Sequence, residues 1–193
     1  MQSRIENYWQ GEANRYNENI WGEMNSFKKQ AWQHLIAEYL PCIESLQVLD
    51  IGTGPGFFAM ILAEMGHRVT AIDCADNMLA QAKNNTQEAG FQVDFFKMDS
   101  HDLAFPDATF AVLVNRNLTW ILHDPKQAYR EWYRVLKPGG RLLIFDANWN
   151  LRLHDAKMQE SYEEDLRRAQ KLGIAINDHE DPEECDRIAK DLF

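Results

Sequence analysis

The chain is short of cysteine, of long apolar runs and of clustered positive charge, and each shortage excludes something. Its three cysteines, Cys42, Cys74 and Cys185, form no CxxC pair and no even framework, which argues against a disulfide-stapled scaffold and fits a reducing cytoplasmic location. The longest uninterrupted apolar stretch, Phe57 to Ala63, falls far below the roughly 20 residues that cross a bilayer, so no membrane partner is expected. The start, Met1-Gln-Ser-Arg-Ile-Glu-Asn, lacks a hydrophobic signal core, so export is not expected either. Lys and Arg number 20 against 30 Asp and Glu. With no basic stripe to displace counterions from a phosphate backbone, no nucleic-acid partner is expected. HxxxH and HxH spacings are absent, and with them a histidine-based metal site.

What is present is a chain of 193 residues, 45% hydrophobic and 11% aromatic, enough to bury a core. The net charge of −10 is uneven. From Asp155 onward there are 12 acidic and 6 basic residues, a pattern of two solvated helix faces.

Gln47 to Ile51 is a short run rich in branched residues with glycines directly after it, the mark of a buried parallel strand entering a turn. Helical spacing follows over Phe57 to Met65, with Gly66 as its stop. Arg68 to Ile72 reads as a second strand, Asp76 to Ala89 as a helix capped by Asp76, and Val93 to Lys97 as a third strand. After a loop through Pro106 come a strand at Phe110 to Asn115, a helix at Lys126 to Leu136 and a strand at Arg141 to Phe145. Strands alternating with helices at this interval imply βαβ units and a mostly parallel, doubly wound α/β sheet. Residues 1–45 read as an aromatic helical lid segment, 46–150 as the α/β domain and 151–193 as C-terminal helices. In those helices Met158, Tyr162, Leu166, Ala169 and Leu172 form one apolar stripe, and Cys185, Ile188, Ala189, Leu192 and Phe193 form another.

The chemistry concentrates after the first strand, in Asp50-Ile-Gly52-Thr53-Gly54-Pro-Gly56. Glycines there let backbone approach a ligand where a Cβ would collide. The spacing is GxGxG; the dinucleotide fingerprint GxGxxG needs a glycine where Phe57 stands. Pro55 and Phe57 also crowd the helix N-terminus that a pyrophosphate would use. A nicotinamide oxidoreductase is therefore disfavoured, and a cofactor without phosphates fits better. Asp73, 17 residues past Gly56 and at the end of the second strand, is placed to accept both ribose hydroxyl hydrogens; the other reading is a strand-end cap for the next helix, a task Asp76 can fill.

Val48 to Gly56 (VLDIGTGPG), Val69 to Asp73 (VTAID), Met98-Asp99-Ser100 and Leu136 to Leu143 (LKPGGRLL) together resemble the class I S-adenosylmethionine-dependent methyltransferases, in particular the small-molecule branch of the ubiquinone and menaquinone biosynthesis enzymes. The resemblance implies a Rossmann-like sheet and S-adenosyl-L-methionine as cofactor, with S-adenosyl-L-homocysteine as product. It sets Asp50, Gly52, Thr53, Gly54 and Gly56 against the methionine part of the cofactor. It sets Asp73 on the ribose, Cys74 beside the adenine, Met78 on the adenine face or in plain core, and Asp99 with Ser100 at the adenine amine. Asn115 and Arg116 would line the floor near the sulfonium, and Tyr16 would act as the lid residue.

The acceptor is expected to be a small molecule, approached by Asn117 and Trp120 in the segment after the fourth strand. His123 has the chemistry of a general base, and equally the place of a polar residue opening the next helix. His101 reads as a solvated loop residue. Trp149, Tyr8, Trp9 and Trp21 are candidates for an acceptor wall or simply core. The resemblance also implies a helix and an antiparallel hairpin after the fifth strand, which the sequence lacks. Either the C-terminal helices replace the hairpin or the chain is a truncated member, the reading preferred here. Truncation leaves an open sheet edge that invites homo-oligomers, and it keeps alive the alternative of a cofactor-binding module without turnover.

Overall fold

A computed structural model describes residues 1–173 and 181–192. Two helices, α1 (Gln2–Met24) and α2 (Phe27–Tyr39), open the chain. Then come β1 (Gln47–Ile51), α3 (Phe57–Glu64), β2 (Arg68–Asp73), α4 (Asp76–Glu88) and β3 (Val93–Lys97), followed by β4 (Phe110–Arg116), α5 (Pro125–Val135) and β5 (Leu136–Phe145). The helices α6 (Ala156–Leu172) and α7 (Pro182–Leu192) follow, and among the described residues no strand comes after β5.

The sheet has the order β3-β2-β1-β4-β5 and every pairing is parallel, so the doubly wound α/β architecture read from the sequence is the one observed. Strand order reverses between β1 and β4. The carboxyl ends of those two strands therefore part, and a crevice opens above them.

Alternation along the strands divides the core. Val48, Val112 and Val114 pack with Met60 and Phe58 of α3 and with Ile20 and Ile36 of α1 and α2. Leu49, Ile51 and Leu113 pack on the other face with Ala128, Trp132 and Val135 of α5. Because α3 lies between the sheet and the N-terminal helices, it is buried from Phe57 through Leu62, as expected for a helix apolar on every side.

The structure differs from the sequence reading in several places. Asp76 does not cap α4: Ala75 holds that position without a side-chain bond, and Asp76 pairs with Lys97 at 2.8 Å. The preceding strand-end carboxylate, Asp73 Oδ1, accepts the Ala75 N–H instead. Strand β5 begins at Leu136, ahead of Arg141, and its register with β4 slips between Phe110 and Val112. Of the two C-terminal stripes, that of α7 packs: Cys185 and Ile188 are buried with Ile5, Tyr8 and Ile121. In α6 only Ala169 is buried, while Met158 and Leu172 are exposed. Phe193 lies outside the described residues.

Candidate functional site

The turn after β1 is tied down by side chains lying beneath it. Thr53 Oγ1 donates to Asp50 Oδ2 at 2.6 Å, and Thr53 N–H to the Ile72 carbonyl at 2.9 Å. Gly54 N–H donates to Asp73 Oδ2 at 2.9 Å. Gly52 and Gly54 have φ of +68° and +54°, and a Cβ on them would meet Leu118 Cδ1 at 2.9 Å and Tyr16 Cε1 at 3.4 Å. Gly54 thus lies close against α1 and Gly52 against the turn after β4. Gly56 (φ +92°) faces away, and its Cβ would meet the Ala82 Cα at 3.3 Å. It joins α3 to α4.

Asp50 and Asp73 are both buried. Burial pushes the Asp50 carboxyl up to about 7, against the opposing hydrogen bonds from Thr53 and the Ala59 backbone and with the neighbouring Asp73 charge adding to the rise. Burial also raises Asp73, opposed by backbone N–H groups of Ala75, Gly54 and Cys74. Two carboxyls held in a poorly solvated site lower the energy of a cation and repel a diphosphate.

Above the carboxyl ends of β1 and β4 lies a partly enclosed cavity, at the position where open parallel sheets bind their ligands. Among the sequence-predicted residues it is lined by Tyr16, Gly52, Gly54, Asp73, Cys74, Met78, Ser100, Arg116 and Asn117. Asp50, Thr53 and Gly56 are not on its wall; they support the turn. Asp99 is not on the wall either, but it sits between Met98 and Ser100, which are, with its side chain partly exposed, and its charge is felt by the Cys74 thiol. Asn115 is fully buried, and among the described residues its amide N and O make no hydrogen bond.

The first half of α1 closes the cavity. Trp9 meets Tyr16 edge-on at 5.8 Å and Trp120 at 6.4 Å, and Trp9, Ala13 and Tyr16 pack on Ala75 and Met78. A polar seam holds this helix along α4: Asn77 N–H donates to Gln10 Oε1 at 2.8 Å, Gln81 Nε2 to Asn14 Oδ1 at 2.9 Å and Asn85 Nδ2 to Asn17 Oδ1 at 2.6 Å. Partners four apart on α4 present one face to α1. The packing of α7 and the pairing of Arg4 with Glu184 at 2.6 Å brace the same helix from outside.

Residues 49–144 match the methyltransferase domain family. A demethylmenaquinone methyltransferase of Thermus thermophilus is 39% identical over 106 residues, covering 52% of this chain and 46% of the relative. A tRNA 5-carboxymethoxyuridine methyltransferase of Escherichia coli is 31% identical over 153 residues, covering 74% and 58%. A solved SAM-dependent methyltransferase of Methanosarcina mazei superposes with a TM-score of 0.54 at 32% identity, covering 62% of this chain and 60% of that one. Residues 49–144 are a class I methyltransferase domain. The chain spans about half the length of the curated relatives it matches.

Next to the domain's cavity, α1 and β5 border a second, more open cleft. The two share Tyr16, Arg116 and Asn117, and the second adds Trp32, Phe145, Asp146 and Trp149. Arg116 Nη2 donates to Glu23 Oε1 at 2.8 Å, and its guanidinium lies 4.7 Å from the Phe57 ring centroid and 5.2 Å from that of Trp32. Asn117 adopts φ +56°; its N–H donates to the Phe145 carbonyl at 2.9 Å and its Nδ2 lies 3.5 Å from the Tyr16 hydroxyl. Trp120 lines neither space, and its Nε1 donates to the Asn117 carbonyl at 2.9 Å. His123 is exposed ahead of α5, whose cap is Asp124. Trp149 lies on the cleft, Trp9 on the cavity, Tyr8 in the α1–α7 packing, and Trp21 donates to Asn85 at 2.9 Å.

His101 corrects the sequence reading most clearly. It is buried, lines the cavity and holds Asp99 Oδ1 through Nδ1 at 2.6 Å. The legible signal was its place two residues after an aspartate, where an Asx turn draws the i+2 N–H onto the carboxylate. Gln2, Ile5, Leu118, Ile121 and Leu122 also line the cavity. They come from the lid and from the turn after β4, and carry no motif that marks them.

Proposed function

We propose that this chain is an S-adenosylmethionine-dependent methyltransferase acting on a small-molecule acceptor, with the cofactor in the glycine-turn cavity and the acceptor in the adjoining cleft. The observation that carries the reading is the charge of the cavity. Asp73 lies on its wall and Asp50 is buried against Thr53 in the glycine turn, and the guanidinium on the wall, Arg116, is paired with Glu23. That arrangement accepts a cationic amino-acid nucleoside and disfavours a dinucleotide. The glycine turn at Gly52 and Gly54 and the apolar wall of Ile72, Cys74 and Met78 fit the same ligand.

Bound there, S-adenosylmethionine supplies an electrophilic methyl group on a sulfonium and leaves as S-adenosylhomocysteine. The residues of the chain align and shield. Asp73 would accept ribose hydroxyls, Gly52 and Gly54 would admit the ligand's amino-acid end near Asp50, and Asp99 would accept the adenine amine. Trp9 and Tyr16 exclude water, so that alignment with the acceptor supplies much of the rate. Tyr16, Arg116 and Asn117, which cavity and cleft share, would stand between the cofactor and its acceptor. A small acceptor is favoured over a nucleic acid by the net charge of −10 and by a cleft whose carboxylates, Glu18, Glu23 and Asp146, outnumber its cations, Lys28 and Arg116. No described helix is long and apolar enough to cross a membrane, and the three cysteines are unpaired, in keeping with a cytoplasmic enzyme.

Calorimetric titration with S-adenosylhomocysteine and with NAD, followed by a methyl-transfer screen over phenols, amines and carboxylates, tests the reading. Binding of the first ligand and turnover with one acceptor class are expected. Binding without turnover on any acceptor favours a module that only holds the cofactor; uptake of NAD alone overturns both.

A further inference from the structure

We propose that His101 is a positioning residue for purine recognition: it immobilises one oxygen of Asp99 so that the other serves as a fixed acceptor for an exocyclic amine. The inference rests on the reading of the cavity as an S-adenosyl site and goes beyond it by naming what sets base selectivity.

Asp99 Oδ1 receives two hydrogen bonds from one residue, the His101 backbone N–H at 2.9 Å and the ring Nδ1 at 2.6 Å. The other ring nitrogen, Nε2, lies 3.3 Å from the Asp124 N–H, which donates to it. An Nε2 that accepts carries no proton, so the hydrogen-bond network assigns the proton to Nδ1, facing the carboxylate. The loop is anchored further to α5: Gln127 Nε2 donates to the His101 carbonyl at 3.3 Å and Trp132 Nε1 to the Ser100 carbonyl at 3.0 Å. The His123 ring covers that of His101, with centroids 3.9 Å apart.

Each of these contacts removes a freedom from Asp99. Its side chain is partly exposed, and without a clamp its carboxylate would rotate among several orientations. Burial works to raise its pKa, but the hydrogen bonds from His101 outweigh that and hold the carboxyl below its ordinary value. The result is an ionised, oriented carboxylate, partly exposed and flanked by the cavity-lining Met98 and Ser100, whose Oδ2 would take the ligand N–H. With both nitrogens engaged, His101 turns carbon toward the cavity it lines. It acts through Asp99, as a buried second residue often does in orienting the group that touches a ligand.

The test compares S-adenosylhomocysteine with S-inosylhomocysteine, which carries a carbonyl oxygen in place of the amine. Isothermal titration of the wild-type chain is expected to favour the adenosyl ligand by at least tenfold, as for a hydrogen bond to a charged group. His101→Ala is expected to bring the ratio within about threefold by weakening the adenosyl ligand alone. His101→Asn, whose amide N–H replaces Nδ1–H, is expected to restore most of the preference. An unchanged ratio in His101→Ala, or equal weakening of both ligands, overturns the inference. So does failure of His101→Asn to recover selectivity while it folds and binds. A wild-type chain that binds both ligands equally overturns base reading while the cofactor reading stands; one that binds neither overturns both.

Discussion

Replacing Asp50 by Asn should stabilise the ligand-free chain at alkaline pH and destabilise it at acid pH. Asp50 is 2% exposed and titrates at about 7 in place of 3.8, chiefly because burial penalises its charge. A folded-state pKa above the unfolded one means the native chain holds the extra proton. Stability is therefore highest below the unfolded value, falls as pH rises through the window up to about 7, and is flat above it. The full penalty of the ionised form is on the order of 4 kcal/mol at pH 8. The amide keeps an oxygen for the Thr53 hydroxyl but sacrifices part of the bonding to Ala59, a loss of about 1–3 kcal/mol. The expected net is a gain of about 1–3 kcal/mol at pH 8, some 3–8 °C in Tm for a chain of this length. At pH 4, where the linkage penalty has shrunk to about 0.6 kcal/mol, the variant should be the less stable. Thermal unfolding followed by circular dichroism from pH 4 to 8.5 reads both limbs, and the two Tm curves should cross. Parallel curves would refute the claim that the glycine turn stores unfavourable charge.

Gly56→Ala places a Cβ against the backbone of Ala82 at positive φ and should cost about 2–3 kcal/mol in urea unfolding. Gly52→Ala, whose Cβ meets the flexible Leu118, should cost about 1 kcal/mol yet abolish S-adenosylhomocysteine binding in the calorimeter. Arg116→Lys keeps a cation near Glu23 but loses the planar stack on Phe57 and Trp32, so cofactor affinity should fall about tenfold, read as Kd. Ile188→Ala removes a fully buried contact between α7 and the lid; a loss of about 2–4 kcal/mol and faster amide exchange in the first turns of α1 are expected.

The sheet was legible because its information is local. Branched runs such as Gln47 to Ile51, with glycine punctuation after them, repeat at βαβ spacing, and strand order follows from few packing rules. The donor half of the site was legible for the same reason: Gly52, Gly54 and Asp73 sit at strand ends whose place over the sheet the topology fixes. What stayed hidden depends on long-range encounters. His101 looks solvated until α5 folds back and supplies Asp124 and Gln127 as partners. The junction with the second cleft joins Tyr16, Arg116 and Asn117, residues brought together by the packing of α1 across the sheet. Asp76 looked like a helix cap because local sequence favours it, and the competing pair with Lys97, which also holds Glu6, won.

The features that make the ligand-free chain less stable are those that select its ligand. Two buried carboxyls raise the energy of the empty site, and Arg116, the nearby cation, is engaged by Glu23 and two aromatic rings. A ligand that brings a positive charge relieves the strain that one bearing a diphosphate would deepen. Selectivity and thermal response must then share a pH dependence. The Tm increase given by saturating S-adenosylhomocysteine, whose ammonium remains charged, should grow from pH 5 to pH 8 as Asp50 ionises and should lose most of that growth in Asp50→Asn. A ligand-induced shift of equal size across the range would mean that the site recognises shape alone, and that the buried charge has no part in binding.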